Sequence, residues 1–189
     1  MTDPLAGWQN EHQRFARLLD LLETQVDAFH RGEHPNYDLM RDIVLYLRSY
    51  ADAVHHPRED VAFARLVGHD PGVLSIVDRL AQEHRVIATA GEQLLRQLDE
   101  VTGDVLVPRA LLEAAAASYL VYYRNHIDTE EREVLPRAAR FLRSDDWAAV
   151  ISAIPGSADP LFAEDVNERF FQLRQQIDLE AALPDLGDR

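Results

Sequence analysis

A chain of 189 residues, 47% of them hydrophobic, is long enough for one well-buried core and has the balance of an ordinary globular protein. Its formal charge of -14, with no clustered run of Lys and Arg, argues against nucleic acid and anionic membrane surfaces as partners. The complete absence of cysteine excludes disulfides, thiolate catalysis, iron–sulfur clusters and Cys-ligated zinc, so any metal must be held by His, carboxylate or Tyr.

Apolar residues recur at helical spacing through most of the chain, and no long run of strict alternation interrupts them, which predicts an all-α fold. A first helix is expected over 5–31, with Phe15, Leu19, Leu22 and Val26 on one face, stopped by Gly32 and Pro35. Asn36 or Asp38 then caps a second helix that carries Val44, Leu47, Ala51, Ala62 and Leu66 and ends near Gly68. Pro57 interrupts it, and a kink or a local 3₁₀ or π adjustment there would aim the side chains that follow. Asp70 and Pro71 read as the N-cap and first-turn proline of a third helix that runs to about Val101, with Gly103 closing it. A fourth helix begins near Pro108 and passes through Ala115, Tyr119 and Tyr122 towards Pro136, where the missing amide should kink or end it.

Short connections make sequential helices antiparallel, so the expected architecture over 1–143 is an antiparallel up-down-up-down four-helix bundle. Residues 144–189 read as a C-terminal helical extension. Within it Ser144 or Asp145 caps a short helix holding Trp147, Val150 and Ile151, and 155–160 forms a turn or linker. A final amphipathic helix carries Phe162, Val166, Phe170, Leu173 and Ile177. That face needs a surface, either its own bundle or a second copy of the chain, so a homodimer through this helix is one expectation. No apolar stretch approaches the roughly 20 residues of a membrane span. Met1 to Gly7 lack the basic start and apolar run of a signal peptide, and a cytoplasmic location is expected.

Six potential ligands fall into two copies of one arrangement. Glu11-His12 is followed by His55-x-x-x-Glu59, and Glu83-His84 by His126-x-x-x-Glu130, with internal spacings that differ by one position. This internal repeat of helix hairpins suggests pseudo-twofold symmetry about a central site. Residues at i and i+4 share a helix face, so His55 with Glu59 and His126 with Glu130 can each aim at one point. Two His and one carboxylate leave open positions on an octahedral ion, a ligand set associated with reactive non-heme Fe(II) rather than closed structural zinc. Two such sets facing each other predict a dimetal centre whose carboxylates bridge the ions.

His12 shares a stripe with Phe15 and Leu19, His84 with Ile87, Ala88 and Gly91, and His126 follows Tyr122 by one turn, so the ligands should point inward. Burying these histidines and glutamates unpartnered would cost several kcal/mol per charged group, which coordination to a metal ion offsets. His56 lies about 100° round the helix from His55 and reads as partly exposed. Glu11 and Glu83 are either outer acceptors for ligand imidazoles or part of a solvated face. The tyrosines read as core residues and hydrogen-bond donors, and His30, His34 and His69 fall at helix ends or loops and carry no expected role.

The string His55-His56-Pro57-Arg58-Glu59-Asp60 resembles a signature of the hemerythrin-like, or HHE cation-binding, family, and His126-Ile127-Asp128-Thr129-Glu130-Glu131 followed by Leu135-Pro136 resembles another. Asp146-Trp147 and Asp159-Pro160-Leu161-Phe162 are similar to the C-terminal extension of many bacterial members, so the resemblance covers nearly the whole chain. It implies two iron ions in an oxo- or hydroxo-bridged diiron centre, with His12, His55, His84 and His126 as terminal ligands and Glu59 and Glu130 bridging. One hairpin would serve each iron.

The oxygen-carrying members add a fifth His one turn after the third-helix ligand, where this chain has Ala88. The position so opened can be taken by water, an exogenous anion, Tyr119, Tyr122 or Tyr123, or by one of His56, Asp60 and Glu131. Glu131 could also replace Glu130 as the bridge. The expected partner is O₂ or a related small molecule such as NO or peroxide, bound for sensing or storage. An oxidase or peroxidase-type diiron enzyme and a metal-stapled structural or interaction module are the alternatives. A ferritin-like carboxylate oxidase fits less well, because that class uses Glu-x-x-His pairs and more carboxylates than histidines.

Overall fold

The computed structural model describes residues 4–155, 159–162 and 168–182, and every regular element among them is helical. α1 spans Pro4–His30 and buries Trp8, His12, Phe15, Leu19, Leu22 and Val26 at three- and four-residue intervals. Gly32 follows at φ 74°, a left-handed conformation that side chains disfavour, and it turns the chain out of the helix. α2, Tyr37–Tyr46, opens on Asn36, whose side-chain oxygen accepts the Leu39 N–H at 3.0 Å. Of the two expected caps, the asparagine is the one used.

The expected second helix is one rod in three registers. α2 passes into a π-helical stretch, Leu47–His55, and then into α3, His56–His69. Pro57 accounts for this: its ring collides with the carbonyl four residues back and it offers that carbonyl no N–H. Widening the preceding turns resolves the conflict, and the His56 N–H accordingly donates to Ala51 O, five residues back. The device recurs. α5, Arg109–Thr129, passes into a π-helical stretch, Glu130–Val134, and then into α6, Leu135–Phe141, where Pro136 is the second residue. Pro136 therefore does not end the rod, which stays helical to Phe141. Between the rods, the Asp70 carboxylate accepts the Gly72 N–H at 3.2 Å, one 3₁₀ turn follows over Pro71–Val73, and α4 runs Leu74–Thr102.

The apolar interior has two parts. One holds Phe15, Leu19, Ala51, Ile87 and Tyr123, the other Trp8, Ala62, Leu80 and Val134. α1 passes from Trp8 to Phe15, the α2–α3 rod from Ala51 to Ala62, α4 from Leu80 to Ile87, and the α5–α6 rod from Tyr123 to Val134. Each crosses the space between the two clusters once, in alternating sense, and the residues at each crossing are polar.

α7 spans Ser144–Ala153. Neither Ser144 nor Asp145 caps it; the Arg143 N–H donates to the Asp146 carboxylate at 2.9 Å, so the third helical residue closes the start. Trp147 packs on Trp8 with ring centres 5.2 Å apart, Val150 is buried, and Ile151 is exposed. A 3₁₀ turn, Glu168–Phe170, leads into α8, Phe171–Ala182. The last helix is therefore shorter than its apolar spacing suggests: Phe162 lies in a turn before it, against Tyr46, and Val166 falls outside the described residues. Phe170, Leu173 and Ile177 are buried in the same cluster as Tyr46. No described helix is long and apolar enough to cross a membrane.

Candidate metal centre

The four rods meet in a layer of ionisable groups. α1 contributes His12, the π stretch and α3 contribute His55, His56 and Glu59, α4 contributes His84, and α5 with the second π stretch contributes His126 and Glu130. All seven are buried, and Glu59, His126 and Glu130 are 0% exposed.

The layer has two sides. On one, His12 Nε2 lies 3.0 Å from His55 Nε2, and Glu59 Oε1 is 3.3 and 3.1 Å from the two. Glu130 Oε2 completes this side at 3.5 Å from His12 Nε2. On the other, His84 Nε2 is 3.7 Å from Glu59 Oε2 and 3.6 Å from Glu130 Oε1, and His126 Nε2 is 3.3 Å from Glu130 Oε1. Each carboxylate thus turns one oxygen to each pair of imidazoles.

A second ring of carboxylates surrounds the first. Glu131 lies 2.8 Å from His12 Nδ1, Glu11 2.6 Å from His55 Nδ1, Asp60 2.8 Å from His84 Nδ1 and Glu83 3.1 Å from His126 Nδ1. A carboxylate at Nδ1 requires a proton there, so the partners assign the tautomer that leaves a lone pair on Nε2. In that tautomer His12 and His55 point lone pairs at each other across 3.0 Å. The four oxygens of Glu59 and Glu130, with Nε2 of His84 and His126, find no hydrogen-bond partner among the described residues. Buried acceptors facing buried acceptors repel, and a cation on either side of the carboxylates satisfies them all. The donor set therefore fits metal.

Protons are the competing way to neutralise the layer. Burial opposes charge on His12, but Glu131 and Glu59 push it up to about 10. Burial likewise opposes charge on His84, which Asp60 and Glu130 push up to about 10. Glu59 is raised by burial yet held well below the usual carboxylate range by His55 and His12. Protons and metal ions must then exchange at the same nitrogens.

His12, His55, Glu59, His84, His126 and Glu130 are brought together as their spacing suggests. The other candidates separate. Tyr122 is 50% exposed, whereas Tyr119 and Tyr123 are the buried phenols of α5. Their hydroxyls, expected to donate hydrogen bonds, have no partner among the described residues, and burial pushes both well above the ordinary tyrosine value. Glu131 sits outside the imidazole ring of His12 rather than between the two pairs. His56, expected to be partly exposed, is 3% exposed.

Asp60 and Glu131 were not foreseen as outer acceptors. The signal for them is the acidic doublet: each directly follows an inner glutamate, Glu59 or Glu130, just as Glu11 and Glu83 directly precede an inner histidine. A surface cleft of about 330 Å³, lined by Gln9, His12, Gln13, Ala16, Ile127 and Glu131, reaches the layer at His12.

Against known proteins, the model of the hemerythrin HHE cation-binding domain matches residues 3–138. No curated protein and no solved structure matches the chain.

Proposed function

The chain belongs to the hemerythrin HHE cation-binding family, and from that premise we propose that its polar layer holds two iron ions and binds O₂ or a related small molecule, such as NO or peroxide, for sensing or storage. The observation that carries this reading is the two-sidedness of the buried carboxylates, with the oxygens of Glu59 and Glu130 divided between the His12–His55 and His84–His126 pairs. The alternating crossings of the layer support an up-down-up-down bundle, in which one hairpin faces the other across the two carboxylates.

Imidazole and carboxylate donors in this ratio suit divalent iron, and four protein donors per ion leave positions open for an exogenous molecule. When bound, such a pair supplies redox-active Lewis acids with vacant positions. The chain itself orients and shields. The outer carboxylates fix each imidazole, and Phe15 and Trp8 flank His55 with ring centres at 5.0 and 6.2 Å. The cleft lined by His12 and Glu131 offers a small molecule an approach to the layer.

One observation favours a second reading, a peroxide- or O₂-consuming enzyme: Tyr119 and Tyr123 are buried phenols without hydrogen-bond partners among the described residues, able to supply hydrogen bonds or electrons. Metal analysis of protein from iron-replete cells, with absorption spectra before and after anaerobic reduction and on return to air, separates the cases. Two irons per chain with a spectrum that bleaches and returns supports binding. Sustained consumption of peroxide over many cycles supports the enzyme, and absence of iron removes both.

A further inference from the structure

We propose that the pocket between the start of α1, α3 and α7 is a binding site for a small monocarboxylate with an apolar body, its carboxylate on Arg58 and its body against the two tryptophans. The pocket lies outside the polar layer, and the inference stands whether or not that layer holds metal. Its volume is about 260 Å³, just below the ~300–1,000 Å³ of sites for drug-sized ligands, which suits one ring or a short chain. The apolar walls are Trp8 of α1, Trp147, Val150 and Ile151 of α7, and Ile154 just after it. The two tryptophan rings meet edge to face, with centres 5.2 Å apart and planes at 73°.

Two charged side chains line the pocket, Glu11 and Arg58. Glu11 is engaged, since its carboxylate accepts the Tyr50 hydroxyl at 2.8 Å and the His55 Nδ1–H at 2.6 Å. Arg58 makes one long hydrogen bond, from Nε to the Ile154 carbonyl at 3.5 Å, and pairs with no carboxylate among the described residues. The outer N–H groups of its guanidinium stay open, and that planar fork matches a carboxylate in a two-bonded geometry. A fixed cation at the edge of an apolar pocket selects a molecule with one anionic end. The guanidinium sets its direction, and burial of the body against the tryptophans adds affinity. The chain's formal charge of -14 disfavours polyanions. It is screened beyond about 8 Å at physiological salt, however, and does not exclude a single carboxylate in contact with a guanidinium.

The chain has two tryptophans and both line this pocket, so intrinsic fluorescence reports on it. The test follows that fluorescence, together with calorimetry, as the full chain is titrated with hexanoate, acetate, hexanol and hexylamine. Hexanoate should shift the emission to the blue and bind at least about tenfold more tightly than acetate, which lacks the body. It should also bind at least about tenfold more tightly than hexanol, which lacks the charge. Hexylamine should bind no better than hexanol. Arg58→Gln should remove the preference for hexanoate over hexanol. Ile151→Glu changes a side chain that is 65% exposed; by removing apolar wall and adding a like charge, it should weaken hexanoate by about tenfold. Equal binding of hexanoate and hexanol, tighter binding of hexylamine, or neither heat nor a fluorescence change at millimolar hexanoate overturns the inference without recourse to any variant. A preference for hexanoate that survives in folded Arg58→Gln protein overturns it as well.

Discussion

At the scale of single residues, the inner and outer carboxylates are chemically alike and should behave differently. Glu130 is wholly buried between the two imidazole pairs, so Glu130→Ala should drop bound metal below two ions per chain, as elemental analysis would read. Glu131 is hydrogen-bonded to the outer nitrogen of His12 and the side chain of Gln9. Glu131→Gln should therefore keep two ions and weaken binding by roughly ten- to a hundredfold, seen in a chelator competition. Tyr122→Phe should alter neither, because that ring is half in solvent. The inner six were legible because i, i+4 pairs and their repetition encode a helix face. Their outer partners were not, because Glu131 meets His12 from another rod, 119 positions away, and no spacing rule relates them.

At the scale of elements, two prolines shape the layer. Each follows a widened stretch that carries residues of the layer, ending at His55 before Pro57 and starting at Glu130 before Pro136. Wider turns bring successive side chains closer in angle than the ~100° of an α-helix. Both His55 and His56 can then face inward, and periodic reasoning with a strict 3.6-residue turn could not see this. The α4–α5 contact gives a second check. A Cβ on Gly91 would meet the Tyr119 ring at 3.1 Å and Arg48 Cγ at 3.3 Å. Overpacking of about 1–3 kcal/mol works against a helix-propensity gain of about 0.5–1 kcal/mol, so Gly91→Ala should lower the thermal midpoint modestly. Gly7→Ala, with nothing among the described residues within 4 Å, should instead add about 0.5–1 kcal/mol.

At the scale of the whole molecule, the fold sets a charged layer between two apolar clusters, and its stability must depend on what neutralises that layer. His12 and His84 have folded-state values of about 10 against an ordinary 6.5. Their protonation therefore stabilises the metal-free chain fully below about pH 6.5, and this contribution is lost as pH rises through about 10. Glu59, depressed, works in the opposite sense: its contribution is present above the ordinary carboxylate value of 4.5 and lost as pH falls through its lower folded value.

On the proposed reading, a metal ion that binds here must displace the two histidine protons. Apparent metal affinity should rise with pH between about 6.5 and 10, by up to about tenfold per pH unit for each histidine. Competition titrations at about pH 7 and about pH 9 would show it, and pH-independent binding would mean that these nitrogens are not ligands. Saturating metal should raise the unfolding midpoint most at alkaline pH, where the protons no longer support the layer.

The all-helical architecture and the layer's inner residues were legible because both rest on periodicity. The path of the C-terminal segment was not, since the apolar series from Phe162 to Ile177 reads as one helix while Phe162 sits in a separate turn against Tyr46. The central claim, that Glu59 and Glu130 are shared by two cations, is tested most directly by anomalous diffraction at the iron edge from crystals of the iron-loaded chain. Two peaks should lie roughly 3.5–4 Å apart, one against His12 and His55 and the other against His84 and His126, with both carboxylates spanning them. A single peak, or iron bound away from these glutamates, would contradict it.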